Sequence, residues 1–253
     1  MVTPELRSAV TGLVREAGRA TMTYYDGALD SEVREKDDRS PVTLADEVAH
    51  RILVDGLRRI DPTTPVVSEE SEAAAYETRS GWRRFWLVDP LDGTKEFIKR
   101  RAEFTVNVAL IDNGEPVLGV VLAPALDLLY WAVKGSGSWR EEKGGPPERI
   151  YSISRNPGTP LTVVESLSHP SDELEEYLRT IPVARRVKAG SSLKFCWVAE
   201  GRADIYPRLG PTMEWDVAAG DCVYRQSGRA GERPSPLTYN KPDLRNTSFV
   251  IGL

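Results

Sequence analysis

The sequence predicts an α+β half followed by an α/β half within one chain of 253 residues. Three observations carry this expectation. Two amphipathic helical stretches are followed by five segments of period-two hydrophobicity joined by short turns. A glycine- and proline-rich stretch, "EEKGGPPERI" (Glu141 to Ile150), then reads as a linker dividing residues 1–145 from 146–253. Beyond it strands and helices alternate, as they do when a mixed or parallel sheet is covered by helices.

The elements follow in order. From Thr3 to Tyr25, Leu6, Val10, Leu13, Val14 and Ala17 recur at helical spacing, with Thr3 as N-cap and Pro4 at the first helical position. A second helix is predicted from Leu44 to Ile60, with Leu44, Val48, Ile52, Leu53 and Leu57 on its apolar side. The charged stretch "DSEVREKDDRSPVT" between them reads as a loop. Five strands come next: "TPVVSEE", "RRFWLVD", "FTVNVALI", "EPVLGVVLA" and "LLYWAVK". Asn113-Gly114 is a hairpin signal because both turn positions favour positive φ. Short connections imply an antiparallel sheet. The second half reads as strand "PLTVVES", a helix from Ser171, helix "SSLKFCWVAEG", strand "ADIYP", a helix over residues 213–227 and strand "SFVI", with Gly201 and Gly228 where helix ends belong.

Bulk properties narrow the function. A chain of this length buries about three quarters of its extended surface, so no disulfide or zinc staple is required. Cys196 and Cys222 lie in apolar, helix-like surroundings and form no CxxC pair, as expected of buried free thiols in a reducing compartment. The N-terminus "MVTPELRSAV" lacks a basic-then-apolar secretory pattern. No apolar run approaches the roughly 20 residues of a membrane span. A cytoplasmic protein is expected, with peripheral attachment to the inner membrane left open. A net charge of −5 disfavours nucleic acid as the main partner. An anionic ligand would have to be met by a few basic side chains or by bound cations. A monomer and a homodimer are equally compatible with the pattern.

Carboxylates then gather at element ends. Glu69 follows "PVVS", Asp89 and Asp92 follow "RFWLV", and Asp216 falls in the first turn of the helix after "GPTMEW". Such ends converge on shared crevices. Four carboxylates there would repel one another unless hard cations such as Mg²⁺ or Mn²⁺ sat between them. With only His50 and His169 in the chain, a zinc site is disfavoured. Each residue alone has a plainer reading: Asp89 as a turn former before Pro90, Asp216 as a helix-dipole complement, Glu69-Glu70 as solvated surface. Together with "DGT" (Asp92-Gly93-Thr94) they favour a site, since the Gly93 and Thr94 amides open a helix-like segment and suit an anion. The spacing Asp-x-x-Asp-Gly-Thr is one residue longer than the Asp-x-Asp-x-Thr of aspartyl-phosphate enzymes, and no calcium-loop run exists.

"SEES" (68–71), "DPLDGTKEF" (89–97) and "WDVAAGD" (215–221) resemble the three metal-site motifs of the inositol-monophosphatase superfamily. More narrowly, "DGTKEFIK", "EFTVNVALI", "GSSLKFC", "YPRLGPT" and "PLTYNK" resemble its CysQ-type 3'(2'),5'-bisphosphate nucleotidases, in order from near residue 40 to the C-terminus. The resemblance implies a layered αβαβα sugar-phosphatase fold. It also implies a lithium-sensitive phosphatase with two or three Mg²⁺ ions, Mn²⁺ being a possible substitute. The expected reaction removes the 3'-phosphate of adenosine 3',5'-bisphosphate to give AMP, clearing a by-product of sulfate assimilation. Carried over by position, the metal ligands would be Glu69, Asp89, Asp92, Asp216 and the Leu91 carbonyl. Asp46 and Thr94 would activate the attacking water on the metal. Asp92, Gly93, Thr94 and Asp216 would also contact substrate, with His169, Ser191 and Lys194 near the 5'-phosphate and Arg208 near the base. Ser191, Lys194 and His169 also have plain readings, as helix N-cap, surface residue and turn residue.

An inositol-monophosphate phosphatase is the alternative within the superfamily. That branch typically has Thr-Asn-Phe after "DGT", where this chain has Lys95-Glu96-Phe97, and an acid in the loop where this chain has Arg208. A catalytically silent cation- or nucleotide-binding protein is the alternative from another class. Asp46 and Thr94 weigh against it, because they suit water activation better than binding.

Overall fold

The computed structural model describes residues 1–27, 33–35, 41–168 and 171–252. Helix α1 (Pro4–Tyr25) begins as the sequence predicts, with the Leu6 amide donating to Thr3 Oγ1 at 3.2 Å and Pro4 in the first turn. Part of the charged stretch after it, residues 28–32 and 36–40, lies outside the described residues. Strands β1 (Val33–Glu35) and β2 (Pro41–Thr43) form a two-stranded antiparallel ladder that the sequence did not signal. Helix α2 (Leu44–Ile60) has the expected bounds. Its buried stripe runs through Ala45, Ala49, Leu53 and Leu57, while Leu44, Val48 and Ile52 are only half-buried. Alanine and glycine fill the closest approach, because Gly56 faces the Leu13 side chain of α1.

A seven-stranded sheet follows: β3 (Val66–Ser68), β4 (Arg84–Asp92), β5 (Thr105–Asp112), β6 (Glu115–Ala123), β7 (Leu128–Val133), β8 (Gly137–Glu142) and β9 (Glu148–Ile150), adjacent in that order. The β5–β6 hairpin turns through Asn113 (φ 53°) and Gly114 (φ 74°), both left-handed as the turn chemistry demands. Two expectations need correction. The β3–β4 pair is parallel, because α3 (Tyr76–Arg79) lies in a long return between them that allows a crossover. The stretch 141–150 is no linker. Residues 148–150 pair antiparallel with 138–140, so its glycines and prolines form the turn of a further hairpin.

The second half alternates as expected. Strands β10 (Leu161–Ser166) and β11 (Val183–Ala189) are parallel and flank α5 (Asp172–Leu178), which the Ser171 hydroxyl caps by accepting from the Leu174 amide at 3.1 Å. Helix α6 (Leu193–Ala199) ends at Glu200 with left-handed Gly201 after it. Strand β12 (Tyr206–Arg208) starts later than "ADIYP" suggested, Ile205 making only a parallel bridge to Val163. Strand β13 (Thr212–Met213) leads into helix α7 (Glu214–Arg225), which stops before Gly228. Gly228 has no left-handed φ; it is needed because the Gly231 carbonyl passes 2.0 Å from where its Cβ would stand. Strands β14 (Arg245–Asn246) and β15 (Phe249–Ile251) close the chain by pairing with β13 and β12.

The layers are αβαβα. One face of the large sheet buries Trp86, Val88, Val108 and Leu110 against Val10, Val14, Leu53 and Leu57 of α1 and α2. The other face buries Phe85, Leu87, Val121 and Tyr130 against Phe195, Val217 and Val223 of α6 and α7. Val163 of β10 packs on Leu174 and Leu178 of α5, which forms the outer layer. Among the described residues no helix is long and apolar enough to cross a membrane. Cys196 and Cys222 are buried free thiols.

Helix α7 can lie flat on the sheet because β6 carries Gly119, whose Cβ would stand 2.5 Å from the Ala219 carbonyl oxygen and from Cys222 Cβ. Gly119→Ala is therefore expected to lower the unfolding free energy by about 1–3 kcal/mol through overpacking. The readout is the urea midpoint at unchanged m-value. An unchanged midpoint would show that α7 can move off the sheet freely.

Candidate active site

The site forms where strand ends and a helix start meet. Because β3 and β4 run parallel, their C-terminal ends leave the sheet on one edge, and the Glu69 amide donates to the Val88 carbonyl at 3.1 Å. Pro90 interrupts pairing between Asp89 and Asp92, so β4 bulges as it leaves the sheet. Asp216 arrives from the first turn of α7 on the opposite layer. Ligand oxygens of Glu69, Asp89 and Asp216 lie within 4.8 Å of one another. Backbone amides fix two of them: Leu91 N donates to Asp89 Oδ1 at 3.1 Å and Met213 N to Asp216 Oδ2 at 2.8 Å. Asp89 Oδ2 is buried and has no hydrogen-bond partner among the described residues. Burial, with Glu69 and Asp92 next, pushes Asp89 well above the usual carboxylate range, and burial, with Asp92 and Glu69 next, does the same to Asp216. Clustered carboxylates with an orphaned oxygen are the hard, anionic donor set that suits Mg²⁺ or Mn²⁺.

Asp92 is not part of that tightest group. It borders it and accepts from Ser191 Oγ at 2.6 Å and Ser192 Oγ at 3.2 Å. Ser191 is left-handed (φ 55°) and its hydroxyl serves Asp92, while Ser192 precedes α6 without capping it, its hydroxyl shared between Asp92 and the Asp216 carbonyl at 2.9 Å. Gly93 is left-handed (φ 90°) and turns the chain into α4 (Thr94–Ile98). Thr94 Oγ1 stands 3.4 Å from the Leu91 carbonyl oxygen and 3.5 Å from Asp46 Oδ1. Asp46 belongs to the capping box of α2, its Oδ2 accepting from Thr43 N at 2.9 Å and Thr43 Oγ1 at 2.6 Å. Burial pushes Asp46 up to about 6 although the Thr43 bonds oppose the shift.

A cleft of about 280 Å³ opens over these groups. Of the residues singled out in the sequence, Glu69, Asp92, Gly93, Thr94, Ser191, Lys194, Arg208 and Asp216 line it. Asp46, Asp89 and Leu91 stand behind its wall, each no more than 2% exposed. His169 lies outside the described residues. In the same lining, Lys194 Nζ donates to the Ser191 carbonyl at 2.5 Å and sits 5.5 Å from the centroid of Tyr206. Burial pushes Lys194 down to about 8, against the pull of Asp92. Arg208 Nη2 donates to the Pro211 carbonyl at 3.0 Å.

Sequence reasoning missed Glu96, Ser168 and Tyr206 in the cleft wall. It also missed His50, whose Nδ1 lies 2.8 Å from Ser68 Oγ and braces the end of β3. Helix α4 has five residues, too few for periodicity to mark Glu96 as an inward position. The pairing of His50 with Ser68 gives no signal in the sequence, since only the packing of α2 on β3 makes them neighbours.

The layered fold and an acidic cluster at a cleft that Lys194 and Arg208 also line together suit divalent cations and an anionic ligand. The chain belongs to the inositol monophosphatase family, whose profile matches residues 3–247. A 3'(2'),5'-bisphosphate nucleotidase CysQ of Escherichia coli is 51% identical over 247 residues, covering 96% of this chain and 98% of its own. A protein of the same name from Salmonella typhimurium is 52% identical over 219 residues, 87% of either chain. The crystal structure of CysQ from Bacteroides thetaiotaomicron, a bacterial member of this family, matches with a TM-score of 0.83 at 39% identity, covering 98% of this chain and 96% of that one.

The repelling carboxylates have a thermodynamic signature. A carboxyl group that is harder to ionise in the folded chain than in the unfolded one binds its proton more tightly when folded, so stability falls as pH rises between the two values. For Asp46 that window runs from 3.8 to about 6, and Asp89 and Asp216 extend it upward. In the presence of a chelator the urea midpoint is expected to fall from pH 5 to pH 7. Asp89→Asn should raise it at pH 7 and shrink the decline, and saturating Mg²⁺ should do likewise for the wild type. If Asp89→Asn is no more stable than wild type in chelator at pH 7, carboxylate repulsion does not govern stability there.

Proposed function

We propose that this chain is a Mg²⁺-dependent 3'(2'),5'-bisphosphate nucleotidase that removes the 3'-phosphate of adenosine 3',5'-bisphosphate, giving AMP and phosphate, in the cytoplasm as part of sulfur assimilation. The observation that carries the reading is the run of relatives with that name, 51% identical across 96% of this chain. The cleft supports it, with the carboxylates of Glu69, Asp92 and Asp216 for cations and Lys194 and Arg208 in the same lining for a second anion.

In this reading Glu69, Asp89, Asp92, Asp216 and the Leu91 carbonyl hold two or three Mg²⁺ ions. When bound, the ions neutralise phosphoryl charge and supply Lewis-acid activation. The chain's own groups do the rest. The Gly93 and Thr94 amides, which follow Asp92 at the start of α4, hold the phosphoryl group to be removed. Thr94 Oγ1 orients the attacking water and passes its proton to Asp46 Oδ1, a carboxylate near neutrality and therefore able to act as a base. Lys194 and Ser191 hold the 5'-phosphate, and the planar guanidinium of Arg208 stacks on the base.

Turnover of adenosine 3',5'-bisphosphate should exceed that of inositol 1-phosphate by at least about 100-fold in kcat/KM. A preference for the inositol ester would overturn the assignment. Thr94→Ala should lower kcat by about 10²–10⁴-fold while the Mg²⁺-induced rise in Tm persists. Loss of that rise together with activity would place Thr94 among the cation-holding groups instead.

A further inference from the structure

We infer that Glu96 is a specificity-determining residue whose carboxylate accepts a hydrogen bond from the ribose hydroxyl beside the ester being cut; this rests on the nucleotidase reading. Glu96 is only 4% exposed, yet it lines the cleft. Its Oε1 accepts from the Ser168 hydroxyl, across the cleft from the second half of the chain. Its Oε2 makes no hydrogen bond among the described residues and is not among their sealed, unpartnered atoms, so it opens into the cleft. It stands 3.4 Å from where a Cβ of Gly93 would be. That places it over the turn whose amides face the phosphoryl group, in the first turn of α4 and three residues beyond Gly93.

A carboxylate can only accept a hydrogen bond. Beside a docked phosphate it repels the oxyanion, and closing the cleft over it without a donor would leave a buried charge unsatisfied. The neutral donor that a nucleoside bisphosphate carries next to its scissile ester is the vicinal ribose hydroxyl. Either regioisomer, with phosphate on the 3' or the 2' oxygen, leaves one such hydroxyl free. Glu96 therefore selects ribose over deoxyribose without choosing between isomers. A site built to bond a hydroxyl rejects the analogue that lacks it.

The test compares adenosine 3',5'-bisphosphate with its 2'-deoxy analogue on the Mg²⁺-loaded wild type, Glu96→Ala and Glu96→Gln. The wild type should favour the ribose substrate in kcat/KM by about 10–100-fold, as for a hydrogen bond to a charged group. Glu96→Ala should bring the two within about 3-fold by slowing the ribose substrate alone. Glu96→Gln, which keeps an acceptor, should retain part of the preference. A wild-type ratio near unity overturns the inference without recourse to any variant. So does a Glu96→Ala protein that slows both substrates equally, since that is what a structural role through Ser168 would produce. Wild type inert toward both nucleotides would instead bring down the nucleotidase reading, and this inference with it.

Discussion

Like charges held in contact are the constraint around which the rest of the molecule is arranged. Glu69, Asp89 and Asp216 come from two strands and a helix on opposite layers, yet their ligand oxygens share a space 4.8 Å across. Nothing in that cluster is self-stabilising without a cation. It persists because each carboxylate is carried by an element with a core of its own. The sheet aligns the ends of β3 and β4, and α7 is pressed onto β6 at Gly119 and onto α6 at Gly220, whose Cβ would come 2.8 Å from Phe195 Cβ. A side chain at either glycine would lift α7 and carry Asp216 outward. The density of the core thus sets the position of the charges.

The two halves are also joined directly across the cleft. Glu103, just before β5, accepts from the Gly190 amide at 2.8 Å, and the Ser191 hydroxyl bonds both Thr105 and Asp92. Gly190 is required there, since a Cβ would stand 2.3 Å from the Glu103 carbonyl oxygen. On the far side Glu214, fully buried at the start of α7, accepts from the Asn240 and Lys241 amides, while Arg79 bonds Asn240 and the Lys241 and Pro242 carbonyls. These bonds tie the loop before β14 to the return between β3 and β4. The start of α7 that presents Asp216 is thereby anchored through Glu214 to that loop.

The legible parts of this design are those in which local chemistry and global role coincide. Asn113-Gly114 had to be a left-handed turn wherever it stood, and Thr3-Pro4 had to open a helix. Carboxylates directly after buried strands announced a crevice because apolar runs rarely end on two acids by chance. The hidden parts depend on partners distant in sequence. The stretch "GGPP" looks like a linker and is a hairpin, because its identity rests on the pairing of residues 148–150 with 138–140. Strand β11, "VARRVKA", is largely exposed and carries three basic residues without period-two alternation, so hydrophobic periodicity passes over it. Ser191 reads as a helix cap, whereas its hydroxyl is committed to a carboxylate about a hundred positions earlier.

The same burial that crowds the metal-site acids separates them chemically from Asp46. All three of Asp46, Asp89 and Asp216 are shifted upward chiefly by desolvation. Asp46, however, accepts two hydrogen bonds from Thr43, and these favour its charged form enough to hold it at about 6. Asp89 has one amide bond, an oxygen without a hydrogen-bond partner among the described residues, and four other acids around it, so a cation is what its charge calls for. One helix-capping threonine thus divides a set of buried carboxylates into two kinds. Asp89 and Asp216, with one amide donor each, call for metal. Asp46, with two donors, can exchange a proton near neutral pH, with Thr94 at 3.5 Å as its link to the cleft. Because Thr43 caps α2 whether or not a ligand is present, that division is built in by folding and requires no rearrangement when substrate arrives.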